Sequence, residues 1–198
     1  MAKRVPGGKL VIQFDEPALP SVIAGLVPSQ SGMSRLAAIE ADTVRDRLSQ
    51  VLGATPGYTV VHCCATTVPF GIIQRAGAGG LAFDLSQLRR GEEDGVAEAA
   101  EAGLGLLTGA IPAVAAPAGG ALQTAEMGGA RETAERVLRL WRRLGLPPAT
   151  AADQAVITPA CGLAGASPAQ ARAALTRCRE AAALLPELIE ETGGSQHD

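Results

Sequence analysis

Side chains able to do metal or nucleophile chemistry are few in this 198-residue chain. It has two histidines and four cysteines. One His stands beside two Cys in the stretch Thr59-Val-Val-His62-Cys63-Cys64. Val60 and Val61 favour a buried strand, and Pro56 and Gly57 punctuate the turn before it. Side chains on a strand alternate faces, so His62 and Cys64 point one way and Cys63 the other. An imidazole and a thiol at one strand end are two ready donors for zinc, which prefers nitrogen and sulfur. The same residues also suit a plain core, because free Cys is among the most buried residue types. Further donors at the same place would decide between these readings.

Three other polar features share that address. Lys9-Leu-Val-Ile-Gln-Phe14 is an apolar run ending in Asp15-Glu16-Pro17. Leu81-Ala-Phe83 ends in Asp84, and Ala155-Val-Ile-Thr158 runs through Pro159-Ala160 into Cys161-Gly162. Each sits at the C-terminal end of a predicted strand. In parallel α/β folds those ends lie on one face, and active sites are built there. His62, Cys64 and Cys161 then offer one nitrogen and two sulfurs, and Asp84 could add an oxygen. Zinc held this way would polarise and deprotonate a bound thiol, giving a nucleophile at neutral pH. The plainer alternatives are a helix cap or loop charge for Asp15-Glu16 and a tight turn for Cys161-Gly162. Cys63 and Cys178 read as structural.

The elements that must carry these residues alternate along the chain. Arg35 to Leu52 has a helical apolar face (Leu36, Ile39, Val44, Leu48, Val51, Leu52) that Gly53 stops. Val68 to Arg75 predicts a short helix with Pro69 in its first turn. Leu85 to Ala102 is polar, then helical. Leu104 to Thr108 predicts a fourth strand. A helix is expected from about Ala125 to Leu144, with Val137, Leu138, Trp141 and Leu144 inward and an arginine-rich face paired with Glu132 and Glu135. Ser167-Pro168 starts a last helix, Ala169 to Leu185. Residues 192–198 read as a disordered polar tail, in which His197 has no partner. Five strand–helix alternations imply α/β with a parallel sheet, because parallel neighbours need such crossovers. Either an open doubly wound sheet or part of a (β/α)8 barrel would satisfy the pattern. A full barrel needs about 250 residues, so the chain is short for one.

Composition removes several function classes. A net charge of −3 offers no basic surface for nucleic acid. Neither a dinucleotide nor a phosphate-loop glycine motif follows a strand. The N-terminus lacks the apolar core of a signal peptide. The uncharged run between Glu101 and Glu126 contains Pro112, Pro117 and Gly119-Gly120. It therefore predicts a strand and loop rather than a membrane helix of about 20 apolar residues. Four Cys, two of them adjacent, do not form a secreted disulfide framework, which points to a reducing, cytoplasmic setting.

Taken in order, Gln13-Phe-Asp15-Glu16-Pro17-Ala18-Leu19, His62-x-Cys64, Asp84-Leu-Ser86 and Thr158-Pro-Ala-Cys161-Gly162-Leu163 resemble the C-terminal catalytic domain of cobalamin-independent methionine synthases. The likeness extends to the superfamily shared with uroporphyrinogen decarboxylase, and is strongest toward its short actinobacterial-type members. It implies a TIM-type (β/α)8 barrel, here a partial barrel of about five units over residues 1–191. It implies methyl transfer from 5-methyltetrahydrofolate to homocysteine, with zinc activating the homocysteine thiol. On the matching positions it implies His62, Cys64 and Cys161 as zinc ligands. Asp84 stands where the family has a ligating Glu one methylene longer. Asp15 matches the residue that binds the homocysteine amino group.

Two departures accompany the resemblance. The family's catalytic His falls near Ala110-Ile111-Pro112, where this sequence has none. The first βα units of the family barrel also have no counterpart. A part-barrel exposes sheet edges and apolar helix faces, so a truncated product, a homodimer or a companion chain is expected. A non-catalytic zinc-binding module is the alternative function.

Overall fold

The computed structural model of the chain describes residues 5–113 and 128–194. Five β-branched or apolar runs become strands: β1 (Val11–Asp15), β2 (Tyr58–His62), β3 (Gly80–Asp84), β4 (Gly105–Ile111) and β5 (Ala155–Pro159). They form one sheet in the order β1-β2-β3-β4-β5, every neighbouring pair parallel. The order itself distinguishes the two architectures left open by the sequence. A doubly wound sheet reverses direction at a switch point, so its strands are not in chain order. Right-handed crossovers that always step the same way put every helix on one face, which is how a (β/α)8 barrel wall is built.

The connecting helices are α1 (Leu19–Ile23), α2 (Ala41–Gly53), α3 (Phe70–Arg75), α4 (Glu93–Glu101), α5 (Ala130–Arg143), α6 (Ala151–Gln154) and α7 (Pro168–Gly194). One face of each strand packs on them. Val61 and Cys63 from β2 and its end, Leu81 and Phe83 from β3, Leu106 from β4 and Ile157 from β5 join α2, α3, α4, α5 and α7 residues in a single core. Phe70 meets Phe83 edge-to-face at 5.3 Å. Trp141 is fully buried, and its indole N–H donates to Thr150 Oγ1 at 3.0 Å. The arginine-rich face of α5 is ion-paired as its spacing predicts, Arg131 with Glu135 at 3.1 Å and Arg136 with Glu132 at 3.4 Å. Such exposed pairs add only about 0.3–0.5 kcal/mol each.

Two helix boundaries differ most from the sequence reading. The helix expected from Arg35 begins at Ala41. Leu36 and Ile39 fit a helical period, but their N–H groups bond instead to Val27 and Val22, and Arg35 bridges Pro28 in a short hairpin. The last helix does not stop at Leu185. It continues through Pro186 to Gly194, with Leu185 and Leu188 both buried against the core. Packing on both sides of the proline therefore outweighs the lost helical hydrogen bond. Thr192 is thus helical, whereas His197 lies outside the described residues. Of the long uncharged run, residues 105–111 are β4, and residues 114–127 lie outside the described residues. Among the described residues no helix is long and apolar enough to cross a membrane.

Candidate metal centre

Register places the first two polar groups side by side. Asp15 and His62 are Cα partners across β1 and β2, and the N–H of Glu16 donates to the His62 carbonyl at 2.8 Å. Both residues close their strands, so both point from the C-terminal edge of the sheet on the face opposite the helices. The His62 side chain is only 11% exposed, and its Nδ1 lies 3.1 Å from Asp15 Oδ1. Gln13, two residues earlier on the same face, donates its Nε2 to that same Oδ1 at 2.8 Å.

Cys64 and Cys161 complete a compact donor group. Their Sγ atoms are 3.9 Å apart, and the donor atoms of His62, Cys64 and Cys161 all lie within 4.8 Å of one another. Along the sheet β2 and β5 are three strand spacings apart, about 14 Å at about 4.8 Å each. Thiols so distant meet only because the sheet curls and the chain beyond β5 turns inward. Gly109 on β4 permits that turn. A Cβ there would lie 2.6 Å from both the Ala160 Cα and the Phe83 carbonyl oxygen. The strand register shifts at this point, between Gly109 and Ile111, and Ala160 N–H bonds to the Ile111 carbonyl at 2.8 Å. Cys161 follows immediately.

Burial, and then the neighbouring Cys161 thiol, push the Cys64 thiol up from its ordinary value. Cys63 is fully buried on the helix side, and burial raises its thiol as well. Cys178 is buried in the core. All four cysteines are free.

The donor set suits zinc. One nitrogen and two thiolates on a tetrahedral ion, with Zn–S near 2.3 Å, require an S–S separation of about 3.8 Å. The observed 3.9 Å meets this and is far from a disulfide's ~2.05 Å.

Asp84 stands outside the group. Its Oδ1 accepts from Ser86 N at 2.8 Å and Ser86 Oγ at 2.6 Å, fastening the turn after β3. One polar residue beside the site, Gln13, and one that ties neighbouring loops together, Glu92, were not singled out by the sequence reading. Gln13 was detectable, being two residues from Asp15 and so on its face. Glu92 was not, because its role is tertiary. It accepts from Val68 N at 3.0 Å and Arg89 N at 2.8 Å, joining the loop after Cys64 to the loop after Asp84. At the position where the resemblance puts the family's catalytic histidine and this sequence has none, Ala110 and Ile111 are buried, and the Ala110 carbonyl accepts from Arg136 Nη1 at 2.8 Å.

No protein-family model matches the sequence, and no curated protein matches it. Solved structures do. One is a B12-independent methionine synthase from Shewanella sp. W3-18-1, determined in complex with selenomethionine. It superposes with a TM-score of 0.62 at 15% sequence identity, over 91% of this chain and 50% of that one. The chain therefore spans about half the length of that protein. The likeness shows the fold, an α/β arrangement of parallel units as in part of a TIM-type barrel.

Proposed function

We propose that this chain carries the zinc-dependent, thiol-activating half of a methionine synthase-type methyltransferase. The reaction moves a methyl group from 5-methyltetrahydrofolate, or a related donor, to the thiol of homocysteine, forming methionine. One observation carries the reading: His62, Cys64 and Cys161 converge within 4.8 Å at the C-terminal edge of a parallel sheet. The fold likeness supports it, and so does the order of the sequence motifs.

His62, Cys64 and Cys161 would hold the ion, leaving a position for the substrate sulfur. Zinc bound there lowers the pKa of a coordinated thiol, so that the sulfur is anionic at neutral pH. Asp15, whose side chain is 68% exposed, would receive the substrate ammonium. Asp84 supports the site by ordering the Leu85–Gln87 turn, and its second carboxylate oxygen is the candidate for a fourth donor that the substrate sulfur would replace. The two ligand thiols must stay reduced to bind the ion, and all four cysteines are free. Pairing of the β1 and β5 edges by a second copy or a companion chain belongs to the same proposal.

Zinc stoichiometry of metal-reconstituted protein tests it: about one ion per chain in the wild type and none in Cys161→Ser. A wild type without zinc would sink the reading. The missing histidine near Ala110 favours a second possibility, a zinc-binding module without turnover. Methionine formation from homocysteine and methyltetrahydrofolate separates the two, since the module would bind zinc and form none.

A further inference from the structure

We infer that Asp15 is a positioning residue of the metal centre, fixing the tautomer and direction of the His62 imidazole with Gln13 as its support. The inference rests on the zinc reading above and assigns Asp15 a task beyond the ammonium contact. An ionised carboxylate only accepts hydrogen bonds. The 3.1 Å contact between Asp15 Oδ1 and His62 Nδ1 therefore places the imidazole proton on Nδ1. A neutral imidazole with its proton there presents its lone pair at Nε2, the form in which histidine binds a metal.

Three features make this contact a built one rather than an incidental surface pair. The two residues are register partners, and the Glu16–His62 backbone bond at 2.8 Å pins the strands at that level. His62 is almost wholly buried, so its ring cannot find a water partner as readily as an exposed one. The carboxylate is itself held, since Gln13 Nε2 donates to the same Oδ1 at 2.8 Å. Both observed bonds fall on Oδ1. Oδ2 can take a substrate ammonium without breaking the link to His62, so one carboxylate serves both tasks.

The test uses the full chain and two readouts other than activity. Zinc affinity is measured by competition with a chromophoric chelator for wild type, Asp15→Ala, Asp15→Asn and Gln13→Leu. The His62 tautomer is read from long-range nitrogen–proton NMR spectra, simplified by there being only two histidines. Loss of an outer partner of a ligating histidine weakens metal binding roughly 10- to 100-fold. Asp15→Ala is expected to show that loss together with a mixed tautomer. Asp15→Asn, whose amide oxygen still accepts from Nδ1, should retain the tautomer and lose less affinity. Gln13→Leu should lose least. Wild-type zinc affinity in Asp15→Ala, with only homocysteine binding impaired, would overturn the inference and leave the zinc reading intact. Failure of the wild type itself to bind zinc would overturn both. Asp15 is largely exposed, and circular dichroism of each variant checks that the fold is kept.

Discussion

The inner face of the sheet, opposite the helices, does different work at its two ends. At the C-terminal end it presents His62, Cys64 and Cys161 as converging donors. At the N-terminal end the same strands present glycines, and Tyr58 lies across them. A Cβ at Gly105 would be 2.5 Å from the Tyr58 hydroxyl oxygen, and one at Gly79 would be 2.6 Å from its ring. The hydroxyl donates to the Gly79 carbonyl, and burial pushes its pKa up, which keeps the proton in place. One aromatic side chain thus fills space that the backbone leaves empty. In barrel folds, the C-terminal end of the strands carries chemistry and the N-terminal end carries stability. Here the donor group and the Tyr58 packing occupy opposite ends of single strands: Tyr58 and His62 are four residues apart on β2 and face the same way.

The division can be broken most severely at the donor group. Cys161→Ser should abolish stoichiometric zinc binding, a larger loss than the roughly 100-fold ceiling for an outer partner. Its thermal stability without metal should barely move, because Cys161 is exposed. An apo-protein that melts far below wild type would show that Cys161 also serves the fold.

Gly109→Ala should damage both ends of the argument at once. The added methyl meets backbone atoms of Ala160 and Phe83, which have no rotamer to yield. Overpacking of this kind costs about 1–3 kcal/mol. The strain falls on the residue before Cys161, so zinc affinity should drop with stability. Chemical denaturation and chelator competition measure the two. A destabilised variant with wild-type zinc affinity would show that the β4–β5 crossing does not deliver Cys161.

Much of this arrangement was legible from residue types, and the remainder was not for identifiable reasons. Runs such as Thr59-Val-Val-His62 and Leu81-Ala-Phe83 gave their strands directly, and alternation separated Cys64 from Cys63. The strand-end rule brought Cys161 beside Cys64 across 97 residues. Alternation cannot supply register, however, so the Asp15–His62 bond was hidden. The same limit applied to Asp84, which shares the strand-end address but spends its Oδ1 on Ser86. Leu36 and Ile39 misled because tertiary hydrogen bonds to Val27 and Val22 outweigh a local period. Pro186 misled because a helix end inferred from proline ignores the packing of Leu188 beyond it.

Tyr58→Ala sharpens the comparison from the stabilising end. Fully buried aromatic truncations cost about 3–5 kcal/mol. Tyr58 is 46% exposed, so about 2 kcal/mol is expected, with zinc affinity unchanged. Tyr58→Phe keeps the ring and loses only the bond to Gly79, about 1 kcal/mol. If Tyr58→Ala lowered zinc affinity as much as Asp15→Ala, the two ends would be one cooperative unit.

Asp84→Asn has the smallest expected effect and separates two roles for a single carboxylate. The amide oxygen of Asn can still accept from Ser86 N and Oγ, so the turn survives and stability should fall by less than about 1 kcal/mol. A zinc ligand does not tolerate the exchange so easily, because a neutral amide oxygen is a much poorer donor to zinc than a carboxylate. If Asp84 acts through the turn, zinc affinity stays close to wild type. If its second oxygen is the fourth donor, affinity falls while the melting curve of the apo-protein hardly changes. Ser86→Ala supplies the converse perturbation. It removes the 2.6 Å hydroxyl bond and loosens the turn without touching the carboxylate. An unchanged Asp84→Asn beside a weakened Ser86→Ala would place the contribution in the turn, and the reverse order would place it at the metal.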